Sequence, residues 1–117
     1  MITARSITVE FDIDGFHRWP QASGDRDYLA DRHRHRFRFA VRIPVTHDDR
    51  DVEFHDLLDA VRAHVADDEP VEFSSQSCEA IAAELAEWVA DTFGPDWVEV
   101  AVSEDGYVTG SVRWEHP

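Results

Sequence analysis

His33 and His35 stand two residues apart in Ala30-Asp31-Arg32-His33-Arg34-His35-Arg36-Phe37-Arg38-Phe39, a segment that reads as the start of a β-strand. Side chains alternate faces along a strand, so both imidazoles project from the same face, about 7 Å apart along the chain. Two imidazoles so placed can share one metal ion. A third ligand must come from another part of the chain, and His17 is the best candidate. Three histidines with an open fourth position form the donor set of a catalytic zinc, which polarises a substrate oxygen or lowers the pKa of a bound water.

The elements that position these residues follow from patterning. Residues 5–14 alternate, with Ile7, Val9, Phe11 and Ile13 on one face, which is the pattern of a half-buried strand. Residues 15–31 carry Gly15, Pro20, Ser23, Gly24 and several aspartates and read as a loop. A second strand over 33–45 places Phe37, Phe39, Val41, Ile43 and Val45 on one face. His33 and His35 share their parity; Arg34, Arg36, Arg38 and Arg42 face the other way. From Val52 to about Ala66 the apolar residues Phe54, Leu57, Leu58, Val61 and Val65 follow helical spacing. Ser77 reads as the N-cap of a second helix over Cys78–Phe93, with Ile81, Leu85, Trp88 and Val89 inward and Gly94-Pro95 as its stop. Val98, Val100 and Val102 form a third strand. Asp105-Gly106 is a hairpin turn, and Tyr107, Val108, Val112 and Trp114 belong to a returning strand.

The order β-β-α-α-β-β predicts an α+β domain spanning 1–117, a four-stranded antiparallel sheet with both helices on one face. Such a sheet has two open edges, and association through them is a natural way to cover them.

Composition excludes several functions. The chain has 25 Asp and Glu against 11 Arg, no Lys, and a net charge of −14. Nucleic-acid binding needs a basic footprint, and attachment to anionic membranes needs one too. Carboxylates in such excess suit a salt-rich, halophilic setting, where ions screen their repulsion. The lone Cys78 precludes an internal disulfide and a cysteine-based zinc knuckle. The amino terminus lacks a signal-peptide apolar core, and no apolar run reaches the roughly 20 residues of a membrane span, so a cytoplasmic location is expected.

Several motifs, in this order, resemble the 6-pyruvoyl-tetrahydropterin synthase / 6-carboxy-tetrahydropterin synthase family. Phe16-His17 is similar to a phenylalanine-rich stretch ending in a zinc-binding histidine. His33-Arg34-His35-Arg36-Phe37 is similar to a His-Gly-His motif followed by a polar and an aromatic residue. Val52-Glu53-Phe54-His55-Asp56-Leu57 resembles the Val-Asp-Phe-x-Asp-Leu opening of the first helix. Ser77-Cys78-Glu79-Ala80-Ile81-Ala82 resembles Thr-Ser-Glu-Asn-Leu-Ala at the second. The resemblance implies the tunnelling fold, in which protomers assemble edge to edge as homo-oligomers such as hexamers. It implies Zn2+ on His17, His33 and His35, and a glutamate that anchors a pterin, at Glu104 or, in an alternative register, at the position of Val102. It implies lyase chemistry on 7,8-dihydroneopterin triphosphate or a related pterin, in deazaguanine (queuosine, archaeosine) or folate-type biosynthesis.

The chain also departs from the pattern. Leu29 stands where the family has its nucleophilic cysteine, and the Asp-His pair expected between the helices is absent from residues 67–72. Asp25, Asp27 and Asp31 lie in the same loop. Asp27 and Asp31 are weak candidates for a substitute general base. The arginine strip either binds a substrate triphosphate or, as the more ordinary reading, pairs with acids across a subunit boundary. Two readings remain: a zinc enzyme with altered chemistry, or a non-catalytic tunnelling-fold protein that uses the metal or the barrel for ligand binding or assembly.

Overall fold

The computed structural model describes residues 1–117. The strands are β1 (Arg5–His17), β2 (His33–Val45), β3 (Val71–Glu72), β4 (Trp97–Glu104) and β5 (Val108–Glu115); the helices are α1 (Phe54–Val65) and α2 (Cys78–Phe93), and a 3-10 helix spans Gly24–Ala30. The sheet order is β3-β1-β2-β4-β5. It is therefore five-stranded. The additional strand, β3, is two residues long and pairs in parallel with Gly15 and Phe16 of β1. A strand this short carries no periodicity, so patterning alone does not reveal it. All other pairs are antiparallel.

One face of the sheet carries the core. Val9, Phe11 and Ile13 of β1, Phe37, Phe39, Val41 and Ile43 of β2, and Val98, Val100 and Val102 of β4 meet Leu57 and Val61 of α1 and Ile81, Leu85 and Val89 of α2. Burying each such side chain stabilises the fold by roughly 1.5–3 kcal/mol. Both helices thus cover the same face. Each has a side-chain cap: Glu53 accepts from the Asp56 N–H at 2.9 Å, and Ser77 Oγ accepts from the Ala80 N–H at 3.1 Å. Gly94 closes α2 in the left-handed region, at φ 66°, which suits glycine. Phe54, expected inward, is half exposed, because it is the first residue of α1 and stands outside the packed turn.

The region 15–31 is more ordered than a loop. β1 continues through His17, and the 3-10 helix occupies the connection to β2. On the outer sheet face the arginines of β2 pair within the chain. Arg38 binds Asp12 at 3.0 Å, Arg36 and Arg34 bind Asp14 at 3.1 and 2.7 Å, and Arg42 binds Glu99 at 2.6 Å. The register explains this, since Asp12 lies opposite Arg38, Asp14 opposite Arg36 and Glu99 opposite Arg42. These guanidinium groups hold the carboxyls of Asp14 and Glu99 below their ordinary range. The strip is therefore a neutralised intrachain ladder, and its acids come from neighbouring strands of the same subunit.

Candidate metal centre

The antiparallel β1–β2 register sets His17 directly opposite His33 and Gly15 opposite His35. His17 and His33 follow the inward parity of their strands, so all three imidazoles gather at the end of the core, beyond Phe37. Their ring centroids are 4.6 Å (17–33), 4.8 Å (33–35) and 5.2 Å (17–35) apart, with rings nearly perpendicular. One nitrogen from each lies within 4.8 Å of those of the other two.

The outer nitrogens are all engaged. Nδ1 of His17 is 3.2 Å from the Gln76 carbonyl, Nδ1 of His33 is 2.8 Å from the Asp31 carbonyl, and Nδ1 of His35 is 2.7 Å from Asp105 Oδ2. Carbonyl and carboxylate oxygens only accept, so each Nδ1 carries a proton, and it is Nε2 that has the lone pair in the neutral ring. A carbonyl or carboxylate behind each ring is the usual support of a metal-binding histidine. His35 Nε2 is buried and has no hydrogen-bond partner, a costly state for a polar atom unless a cation sits against it. Burial pushes the pKa of His17 down, outweighing the nearby carboxylate of Glu104, so the ring is held in the neutral form that ligates. The donor set fits zinc.

Glu104 ends β4 on its inner face, opposite Phe37 and in line with Val98, Val100 and Val102. Its Oε1 is 3.1 Å from His17 Nε2, and its Oε2 is 3.4 Å from His35 Nε2. Cys78, the first residue of α2, directs its thiol to Glu104 Oε1 at 3.8 Å. Burial, reinforced by Glu104 and Glu79, pushes that thiol up to about 12.

A cavity of about 260 Å³ opens beside the triad, lined by His17, Arg18, Leu29, His33, Cys78 and Glu104 among others. Leu29 thus presents a hydrocarbon side chain to the space where the resembled family places a thiol. Arg18 lines the cavity without an acid partner, unlike the arginines of the β2 ladder. Asp27 and Asp31 are exposed and neither lines this cavity; Asp31 contributes only its carbonyl, to His33. Val102 is fully buried in the core, which leaves Glu104 as the residue of that pair facing the triad.

The residues that hold the triad from behind were not apparent as such. Asp105 reads in sequence only as a hairpin residue. The Gln76 and Asp31 contacts are made by backbone, to which residue type gives no clue. Asp105 has φ 54° and binds the Arg36 N–H at 2.8 Å with Oδ1 while Oδ2 holds His35. Those two bonds, the one to the Arg36 N–H first, hold its carboxyl below the ordinary range.

No protein-family model and no curated protein matches the chain. Solved structures do match along nearly its whole length. 6-Pyruvoyl tetrahydropterin synthase from Plasmodium vivax superposes with a TM-score of 0.72 at 11% identity, covering 98% of this chain and 100% of that one. A putative dihydroneopterin aldolase from Vibrio cholerae gives 0.66 at 12% identity, with the same coverage. An uncharacterized protein from Wolinella succinogenes gives 0.60 at 14% identity, covering 99% and 100%. At these identities the likeness is one of fold, and with the observed strand order and helix placement it gives the chain the tunnelling fold, on the architecture seen in the 6-pyruvoyl tetrahydropterin synthases.

Proposed function

We propose that this chain is a zinc-dependent, pterin-synthase-like enzyme acting on 7,8-dihydroneopterin triphosphate or a related pterin. The reading is carried by one observation: three histidines, each with Nδ1 occupied, gather at one point, and two of them, His17 and His33, line a cavity that also holds Glu104, while His35 Nε2 is buried. His17, His33 and His35 would hold the ion. Zinc bound there would polarise a hydroxyl or carbonyl oxygen of the substrate.

The other roles belong to the chain itself. Glu104, a carboxylate at the inner end of the cavity, would accept hydrogen bonds from the ring N–H groups of a pterin and fix its orientation. Arg18, free of an acid partner, is the cation available to a phosphate. Leu29 and the packed end of the core shed water from one side. A homo-oligomer formed through the open edges of the sheet would complete the walls, as in the resembled family.

A second reading is favoured by the sulfur chemistry. Leu29 cannot act as a nucleophile, and Cys78, with its thiol pushed up to about 12, is almost wholly protonated at neutral pH. Both facts suit a non-catalytic protein that binds a metal or ligand, or serves in assembly.

The deciding experiment is incubation of zinc-loaded protein with 7,8-dihydroneopterin triphosphate, with pterin products followed by chromatography. Product formed by wild type and lost in His33→Ala supports the enzyme. Binding of the pterin without turnover supports the second reading. Neither binding nor turnover excludes both pterin roles.

A further inference from the structure

We infer that Glu104 is a fourth protein ligand of the metal in the ligand-free protein, so that the centre rests as a closed His3Glu site and opens only when an incoming ligand displaces the carboxylate. The inference rests on the metal reading given above and adds a residue and a state to it.

Three observations carry it. First, each oxygen of Glu104 faces a different imidazole: Oε1 is 3.1 Å from His17 Nε2, and Oε2 is 3.4 Å from His35 Nε2. In a tetrahedral zinc site with ligands at about 2.0–2.1 Å, adjacent donor atoms stand roughly 3.3–3.4 Å apart. The two separations are near that edge length.

Second, the protons are in the wrong place for ordinary hydrogen bonds. Nδ1 of His17 faces the Gln76 carbonyl and Nδ1 of His35 faces Asp105, so both rings carry their proton on the far side. With the rings neutral, as metal-binding imidazoles are, each Nε2 points a lone pair at a carboxylate oxygen. Lone pairs so opposed repel unless a cation lies between them. His35 Nε2 is the buried polar atom that lacks any hydrogen-bond partner.

Third, Glu104 is held in place independently of any ion. It ends β4, packed opposite Phe37, and the Cys78 thiol lies against Oε1 at 3.8 Å. No arginine pairs with it, whereas the sheet acids Asp12, Asp14 and Glu99 each have one. A carboxylate without an arginine partner, turned toward the Nε2 atoms of His17 and His35, has the charge to neutralise half of a divalent cation.

The consequence for ligand entry is specific. An oxygen donor from the cavity would replace Glu104, and the released carboxylate would be free to accept that ligand's N–H groups. Metal coordination and ring anchoring would then be alternate duties of one side chain.

Cobalt(II) titration of the purified metal-free protein tests this. The expected result is stoichiometric binding with a tetrahedral visible spectrum that added azide leaves unchanged in wild type. In Glu104→Gln the affinity should fall at least about tenfold, a loss comparable to that of an outer-shell partner or larger, and azide should now shift the spectrum. Circular dichroism of both metal-free proteins checks that the variant folds. Cobalt that binds wild type stoichiometrically, responds to azide and retains its affinity in Glu104→Gln would overturn the inference while sparing the histidine site. Absence of cobalt binding by wild type, or binding indifferent to His35→Ala, would overturn the metal reading and this inference with it.

Discussion

Asp105 holds two consecutive residues of β2 at once: one carboxylate oxygen holds the His35 ring at 2.7 Å, and the other accepts from the Arg36 backbone N–H at 2.8 Å. The imidazole that lacks a partner on its inner nitrogen is thereby fixed in orientation from outside. Asp105→Ala should leave the three histidines in place but weaken zinc binding about 10–100-fold, the usual effect of losing a carboxylate behind a metal-bound histidine. Competition against a chromophoric chelator measures it, and an unchanged affinity would refute the orienting role.

Protonation of His17 supplies a pH dependence. Its folded pKa lies below the ordinary value of about 6.5, chiefly because the ring is buried. Below about 6.5 the unfolded chain therefore binds the proton first. Its contribution to stability is full above that pH and declines as pH falls toward the folded value. Metal-free protein should accordingly melt at a lower temperature at pH 5 than at pH 7, and His17→Gln should flatten part of that slope. Parallel slopes in the two proteins would contradict the assignment.

Cys78 should be inert to alkylation in the folded state. With its thiol pushed up to about 12, the thiolate fraction at pH 8 is roughly one in ten thousand, against about a quarter for an ordinary cysteine near 8.5. Labelling by iodoacetamide at pH 8 should rise by orders of magnitude when the chain is unfolded in urea. Fast labelling of native protein would show that the thiol is not held protonated as described.

Gly110 lies where β5 crosses the start of α2. A Cβ at this position would stand 2.9 Å from the backbone nitrogen of Glu79 and closer still to that residue's carboxylate. The carboxylate can swing aside, but the helix backbone cannot do so cheaply. Gly110→Ala should destabilise the protein by about 1–3 kcal/mol, as overpacking does, and lower the melting temperature in proportion. An unchanged melting temperature would mean that the helix shifts freely.

Much of this arrangement was legible in the sequence because it follows from parity. His33 and His35 share the odd parity of Phe37, Phe39, Val41 and Ile43, and Ile7 to Ile13 define the inward face of β1 that His17 continues. Glu104 is likewise in step with Val98, Val100 and Val102, a signal available without any family resemblance. The extension of β1 through His17 was obscured by Gly15, which usually interrupts a strand; here a Cβ would collide with the Phe73 ring, so the glycine is a close-packing device. The direct pairing of His17 with His33 depends on how the connection between β1 and β2 folds, which local pattern does not settle. The supporting groups were hidden for a different reason: two are backbone carbonyls, and the third, Asp105, acts through a positive-φ turn.

The arginines of β2 illustrate the converse. Four like charges along one strand suggest a binding strip when that strand is viewed alone. Opposite each one of Arg36, Arg38 and Arg42 stands an acid of the adjacent strand, and the attraction is spent there.

The β2–β4 ladder runs only from Phe37 to Arg42, whereas β1 and β2 stay paired as far as His17 and His33. The three imidazoles therefore sit on an overhang of β1 and β2 that projects past β4 and β5 and is flanked on its other side only by the two-residue β3. Such an overhang is where backbone amides exchange with solvent by local opening, at less cost than global unfolding. An ion bridging β1 and β2 there would act as a staple, and its arrival should be recorded as slowed deuterium uptake at 15–17 and 33–36, with the amides of helix α2 unaffected.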